Sequence, residues 1–465
     1  MATIIINISK YIILILMVLY TLSCFAIFKQ VNEEEKNEKL NKQIIYVFLM
    51  HFLCYLTLAV SRPDEMKEIV IFYGLQILVA TLYMYLYHYF YPYSSRVITN
   101  NMSFLLLIGY TMLTRLDVSL AKKQFVIATA AIVMVSAVPY IMDRYKNLRN
   151  YGKFYGVVGI IALSSVFVLG VEQYGSLNWI KFGPITLQPM EFVKILFVFF
   201  IASMLSQSRD FKQVMITTVF ACVHIGVLVL EKDLGGALIF FVIFVSMIYV
   251  GTGKIWYLLL YFAGGAMMAG LAFVLFKDRL FNHVLVRVNA WKDPWADING
   301  QGYQIAQSLF AIGSGGYFGS GLTKGTPKII PVSESDFIFS AISEEFGVIF
   351  GLALILVCFS CFISFISIAM RVRNRFYKTM AFGFAICYMF QTFLSIGGVT
   401  KFIPSTGVTI PLVSYGGSSV LSSLVMFAIM QGISTIENKE ARKIENERKE
   451  IEEIARQNPN KTQRA

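Results

Sequence analysis

The chain has 465 residues, 57% of them hydrophobic and only 15% charged, with a mean hydropathy of +0.65. Soluble domains carry about a quarter charged residues, so a single soluble domain is excluded. Most of the backbone belongs in a bilayer, where only helices or a closed barrel satisfy the peptide groups. The net charge of +12 sits mostly in short loops, as expected of cytoplasmic loops in a membrane protein, and no nucleic-acid-binding module accompanies it.

Reading from the N-terminus, continuous apolar runs predict about thirteen spanning helices. They lie near 11–28, 43–61, 69–91, 102–115, 125–142, 154–172, 190–206, 213–230, 235–251, 255–276, 337–367, 379–397 and 407–432. The first reads as a retained anchor, because long charged residues follow it rather than the small residues of a cleavage site. The run near 102–115 is the shortest. The basic loops 143–153 (DRYKNLRNYGK), 206–213 (SQSRDFKQ) and 371–378 (RVRNRFYK) are expected in the cytoplasm. The tail from Glu437 is rich in Lys, Glu and Arg, a composition that gives a solvated helix or disorder. Alternation then puts 173–191, 277–336 and 400–406 outside, and an odd helix count puts the N-terminus outside with them.

The longest polar stretch, 277–336, contains Trp291, Trp295, Tyr303, Phe310 and Tyr317 and is not of low complexity. It is expected to fold as a cap over the membrane domain, with an amphipathic helix at 303–312 lying in the interface.

Charges beside apolar runs are costly and tend to be functional. Asp336, in SESDFIFS, precedes a helix. It is either a first-turn carboxylate that suits the helix dipole, with Ser333 or Ser335 as cap, or a reactive acid. Glu344 and Glu345 follow, and Glu344 is spaced to share a helix face with Asp336. Glu191 and Lys194, in LQPMEFVK, are three residues apart and able to pair on one face, with Pro189 suited to the helix start. Lys232 and Asp233 precede Gly235 and Gly236, where an ion pair holding a turn is expected. In PSTGVTIPLVSYGGSS (404–419), Pro404, Gly407, Pro411, Gly416 and Gly417 interrupt an apolar segment. Broken backbone at membrane depth lines protein or a cavity, so Ser414, Tyr415, Ser418 and Ser419 become candidates for holding a polar headgroup. Lys181, Arg287, Lys292, Lys324, Lys328 and Lys401 face the same side and are able to bind a pyrophosphate; spacing alone does not choose among them. The six cysteines all fall in apolar runs. Cys358 and Cys361 have a CxxC spacing inside a helix, which means packing rather than redox chemistry.

Three long motifs, in order, resemble one family: WKDPWADINGQGYQIAQSLFAIGSGGYFGSGL, PVSESDFIFSAISEEFG and PSTGVTIPLVSYGGSS. Trp179-Ile180, Gln188-Pro189, Glu191, Lys194 and Asp233-Leu234-Gly235 match as well. Over residues 101–435 the chain resembles the SEDS family (shape, elongation, division and sporulation), to which FtsW, RodA and SpoVE belong. Val332 stands where the family often has Glu, Asn178 where it has Arg, Glu231 where it has Gln, Met190 and Gly236 where it has a small residue and Thr, and Thr406 where Lys is common. None of these touches the aspartate.

The resemblance implies an all-α polytopic membrane protein. Its ten-helix core would span 101–435 with a large extracellular loop at 277–336. Residues 1–100 would add about three transmembrane helices, and 436–465 would form a charged cytoplasmic tail. It further implies a peptidoglycan glycosyltransferase of the plasma membrane that polymerises lipid II and releases polyprenyl pyrophosphate, in division or elongation. Asp336 matches the family's catalytic aspartate. Arg287, Lys324 and Lys401 are the expected pyrophosphate contacts, Glu191 and Lys194 the expected shapers of the acceptor or lipid groove, and Glu345, Ser414, Tyr415 and Ser418 further substrate contacts. No metal site is expected from protein ligands alone, although a divalent cation, magnesium or manganese, would serve the same leaving group. The implied partners are a class B penicillin-binding protein and other divisome or elongasome proteins. The alternatives are a lipid II flippase using the same charged cavity, and a scaffold in which Asp336 is replaceable.

Overall fold

A computed structural model describes residues 2–29, 32–173, 175–183, 185–280 and 282–457. Among these, thirteen helices are long and apolar enough to cross a membrane. In chain order the elements are α1 (Ala2–Ile27), α2 (Glu33–Ser61), α3 (Met66–Phe90), α4 (Arg96–Leu116), α5 (Val118–Val135), α6 (Val138–Arg144), α7 (Gly152–Ser164) and α8 (Val166–Leu169). A three-stranded antiparallel sheet follows, β1 (Gly170–Gln173), β2 (Ser176–Phe182) and β3 (Ile185–Leu187), in the order β1-β2-β3. Then come α9 (Pro189–Gln207), α10 (Phe211–Leu230), α11 (Leu234–Thr252), α12 (Ile255–Leu280), α13 (Asn282–Lys292), α14 (Tyr303–Gly315), α15 (Ile338–Phe346), α16 (Val348–Arg371), α17 (Arg375–Val399) and α18 (Gly417–Gln457).

The helix at 102–115, the shortest apolar run in the sequence, is the most enclosed. It extends over Arg96–Leu116 and is buried along its length. Its polar side chains explain both facts. Asn101 donates to Ser360 (2.8 Å) and accepts from Tyr20 (2.7 Å). Asn100 donates to Gln43 (3.0 Å), and Thr114 meets Tyr55 (2.8 Å). Protein rather than lipid surrounds α4, so polar residues are tolerated where a partner exists.

Three expected spans are corrected by backbone chemistry. The run 337–367 is two helices, because Gly347 at φ +91° separates α15 from α16; a side chain there would be strained and would start 2.3 Å from the Gly319 nitrogen. The run 407–432 becomes helical only at Gly417, after an irregular segment that contains Pro411 and Gly407. The run 154–172 ends in β1, so Gly170–Gln173, Ser176–Phe182 and Ile185–Leu187 form a small sheet where helix and loop are expected.

Contacts sort the connections into two ends. At one end lie the α6–α7 connection, the α9–α10 connection, the α16–α17 turn and the base of the tail: Ser203 donates to the Arg149 carbonyl, Tyr377 to the Met142 carbonyl (3.3 Å), and Lys439 pairs with Asp143 (2.8 Å). At the other end lie the sheet, the 277–336 segment and 400–416. Asn7 belongs there too, since Lys324 donates to its side chain (2.6 Å). The N-terminus and the long loop thus share an end, as helix counting requires. The tail is helical as far as Gln457, and 303–312 is helical within α14.

Candidate active site

Asp336 sits in the turn 331–337 that leads into α15. Phe337 is the N-cap residue and no side chain caps this helix, so Asp336 and its serine neighbours are not spent on capping. The serine cap of the first reading is thereby corrected, while a carboxylate one residue ahead of the N-cap still suits the helix dipole. Asp336 lies off the helix, and it shares no helix face with Glu344. The turn is closed by the Val332 carbonyl, which accepts from the Ser335 and Phe337 amides at 3.1 and 3.3 Å. To do this Val332 takes φ +55°, a left-handed conformation that a β-branched residue adopts only under strain.

The interrupted segment 404–416 supports that turn. The Tyr415 amide donates to the Glu334 carbonyl (2.8 Å) and the Ser414 hydroxyl to the Ser335 carbonyl (2.7 Å). Ser414 also accepts from the Ile410 amide (2.9 Å), and Gln124 bridges the Ser414 carbonyl (2.8 Å) and the Gly416 amide (3.1 Å). Ser414 thus acts inside the protein. Ser418 accepts from the Gln188 amide (3.1 Å) and tethers the sheet to α18. Tyr415 is half-buried, and burial raises its pKa above that of an ordinary phenol, with Glu334 and Asp117 adding to the rise.

A third element reaches the same place. Arg287 on α13 donates to the Ser405 carbonyl (3.3 Å), and four residues on, Trp291 donates to the Lys401 carbonyl (3.1 Å). This face of α13 is clamped to 400–407. Gly407, at φ +72°, marks the convergence: a Cβ built on it would lie 3.5 Å from both terminal nitrogens of Arg287 and 3.6 Å from Asp336 Oδ2. Acid and guanidinium flank one small gap floored by glycine backbone. Desolvation raises the Asp336 pKa above its ordinary value, Arg287 and a hydrogen bond from Ser335 hold it down, and Glu334 raises it again.

Behind this gap is a second charged group. Asp233 caps α11 through the Gly236 amide (2.8 Å) and accepts from Asn178 on β2 (2.9 Å). The expected Lys232–Asp233 pair is corrected: Lys232 lies 3.9 Å from Glu172 instead. Burial raises the Asp233 pKa, with Arg287 among the groups that lower it. Burial beside Asp233 also pushes Glu231 up to about 9. Glu191 and Lys194 pair as their spacing predicts (2.5 Å) and are almost wholly enclosed; Lys194 also donates to Gln391 (2.8 Å), and Glu191 accepts from Ser422 (2.6 Å).

The structure does not bring every candidate to the gap. Glu345 is fully buried and accepts from Arg115 (2.7 Å) and the Thr323 amide (3.2 Å); burial pushes it up to about 7 against the pull of Arg115. Lys324 is engaged with Asn7. Lys401 contributes a backbone carbonyl to Trp291 from a strained φ of +61°. Among the described residues no three His, Cys, Asp or Glu side chains gather so as to hold a metal ion. Sequence reasoning missed Arg115, Gln124 and Gln391, and marked Asn178 only as a departure from the family pattern, since each acts through a partner far away in the chain.

The architecture is that of a polytopic helical membrane protein with an acid–guanidinium gap at one end. Residues 95–439 match the model of the cell cycle protein family named for FtsW, RodA and SpoVE. The chain is 32% identical over 381 residues to the peptidoglycan glycosyltransferase RodA of Mycobacterium tuberculosis (strain ATCC 25618 / H37Rv), which covers 74% of this chain and 79% of that relative. The RodA of Mycobacterium leprae (strain TN) is 33% identical over 381 residues, covering 74% and 78%. A solved structure of a peptidoglycan synthase complex that coordinates polymerization and crosslinking has a chain of the same fold, with a TM-score of 0.63 at 22% identity, covering 74% of this chain and 98% of that one. The chain belongs to the FtsW/RodA/SpoVE family.

Proposed function

We propose that this protein is a peptidoglycan glycosyltransferase that polymerises lipid II, with Asp336 as general base and Arg287 as the cation nearest the leaving group. The observation that carries the assignment is the gap at Gly407, where an aspartate and a guanidinium face one another across glycine backbone. Family membership supplies the reaction class.

In the reaction the acceptor sugar hydroxyl gives its proton to the Asp336 carboxylate as its oxygen attacks the anomeric carbon of the donor. The bond from that carbon to the pyrophosphate oxygen breaks, and polyprenyl pyrophosphate leaves with the electron pair. A base works best with a pKa near the working pH. Burial lifts Asp336 towards that range, while Arg287 keeps it ionisable. The same guanidinium offers planar, delocalised charge to the pyrophosphate. Asp336 and its gap would face the outside, at the end of the 277–336 segment, with the basic connections and tail in the cytoplasm. A class B penicillin-binding protein is the partner that suits a glycan polymerase of this family.

The test is polymerisation of labelled lipid II by the full chain purified with its cognate transpeptidase, wild type against Asp336→Ala. Glycan from wild type and none from a well-folded variant is expected. Equal glycan from both would remove Asp336 from the chemistry. No glycan from either, with lipid II crossing liposome membranes, would replace the enzyme by a flippase.

A further inference from the structure

The three helices α1–α3 precede the family match at residue 95. At the end that holds Asp336 they make a connected set of contacts. Arg62, just after α2, donates to the Thr114 carbonyl (3.1 Å) and to the Arg115 carbonyl, at the last turn of α4. Those carbonyls have no partner within the helix, and Arg62 satisfies them where Asp117 turns the chain into α5. Arg115 then reaches from that end to Glu345 on α15 (2.7 Å) and to the Gly325 carbonyl (2.9 Å). Ser61 accepts from the Thr323 hydroxyl (3.0 Å), and Asn7 from Lys324 (2.6 Å). Glu345 and Glu344 take the amides of Thr323 (3.2 Å) and Thr326 (2.8 Å).

The Asp336 turn lies between these two anchors. Thr326 stands on its N-terminal side, α15 on its C-terminal side, and the Thr326–Glu344 bond ties one to the other. Thr323 is held at φ +80°, a conformation that costs energy and persists only where surroundings enforce it. The enforcing contacts come in part from Ser61, bonded to Thr323 itself, and from Asn7, bonded to the next residue, Lys324.

We propose that the N-terminal helices are a positioning brace for the active-site loop, with Arg62 as its central residue. Acting through α4, Arg115 and the Glu344–Glu345 pair, they fix the closed loop that presents Asp336. The proposal rests on the glycosyltransferase reading above. Deleting α1–α3 would not test it, because polar residues of α4 would lose their partners and the protein would misfold. A point variant tests it.

In the full chain with its transpeptidase, Arg62→Ala is expected to lower kcat on labelled lipid II about tenfold with KM within about twofold, as when a reacting group is misplaced but substrate binding is intact. The amides of Thr323 and Thr326 are expected to exchange hydrogen at least about tenfold faster, a readout independent of turnover. Arg62→Lys, able to reach one carbonyl, should recover part of both. Lys42→Ala, an exposed residue towards the opposite end of α2, should change neither. A folded Arg62→Ala with wild-type kcat and wild-type exchange would overturn the brace, as would an equal fall in kcat and rise in KM with exchange unchanged. If wild type makes no glycan, the glycosyltransferase reading fails, and the exchange rates still decide the brace.

Discussion

Gly407→Ala puts a methyl group into the gap between Asp336 and Arg287, and its two consequences are separable. The structural cost is small. The new carbon would meet its nearest neighbours, the Arg287 nitrogens and Asp336 Oδ2, at 3.5–3.6 Å, ordinary contact, so no atom is forced aside. What remains is the left-handed backbone at φ +72°, which costs an alanine about 1–2 kcal/mol. The catalytic cost is larger. A hydroxyl giving its proton to Asp336 must come within about 2.6–3.2 Å of the carboxylate, through space the methyl would occupy. Losing a well-placed hydrogen bond to a charged group is worth about 1.5–3 kcal/mol, so kcat is expected to fall roughly ten- to hundredfold. Turnover of labelled lipid II reads the second effect and thermal unfolding of the purified complex reads the first. A variant that melts slightly lower yet polymerises within about twofold of wild type would refute the reasoning, because the gap would then not be where the hydroxyl approaches.

Arg287→Met should shift the acidic limb of the kcat/KM profile towards higher pH. Arg287 favours the ionised form of Asp336, so its loss raises the pKa further and the base is protonated over a wider range; an unmoved limb would separate the two residues. Glu191→Gln leaves the Lys194 ammonium buried without its countercharge. Removing one partner of such a pair costs about 3–5 kcal/mol. Denaturant unfolding should show that loss, and the double variant Glu191→Gln/Lys194→Met should recover part of it.

The spans were legible because lipid demands long apolar runs, whatever they pack against. The exceptions have physical causes. Asn100, Asn101, Thr111 and Thr114 made α4 look weak because its surroundings are protein, a tertiary fact with no local signature. Gly347 did carry a signal, as a glycine after Glu344-Glu345-Phe346, but its φ of +91° is imposed by the Gly315–Gly321 backbone packed against it. The sheet was hidden because its strands are short and continue the apolar run of α7. At the site, Asp336 and the 404–416 interruption were visible as costly chemistry at a membrane boundary. Arg287 stood among six equivalent cations until the fold brought it to Gly407. Glu345 was seen as an acid near the site, while its partner Arg115, 230 residues earlier, was not.

Five non-glycine residues adopt positive φ among the described ones: Lys232, Thr323, Val332, Lys401 and Leu412. All lie in the half of the bundle that holds Asp336, four where spanning helices give way to irregular backbone and Leu412 deeper, against Gly109 of α4. Each costs on the order of 1–3 kcal/mol and persists only where neighbours over-determine it. The neighbours are identifiable. Glu345 accepts from the Thr323 amide, the Val332 carbonyl holds two amides of its own turn, and Trp291 holds the Lys401 carbonyl. Asp336 is therefore placed by contacts between elements rather than by a helix of its own, since α15 begins only after it. An acid so placed can be partly desolvated and still aimed, because the backbone around it is fixed from α13, from 404–416 and from the α4 end at once. The same arrangement makes the site sensitive to remote changes: loosening any one of the three moves Asp336 relative to Arg287, whose own anchor is the Ser405 carbonyl.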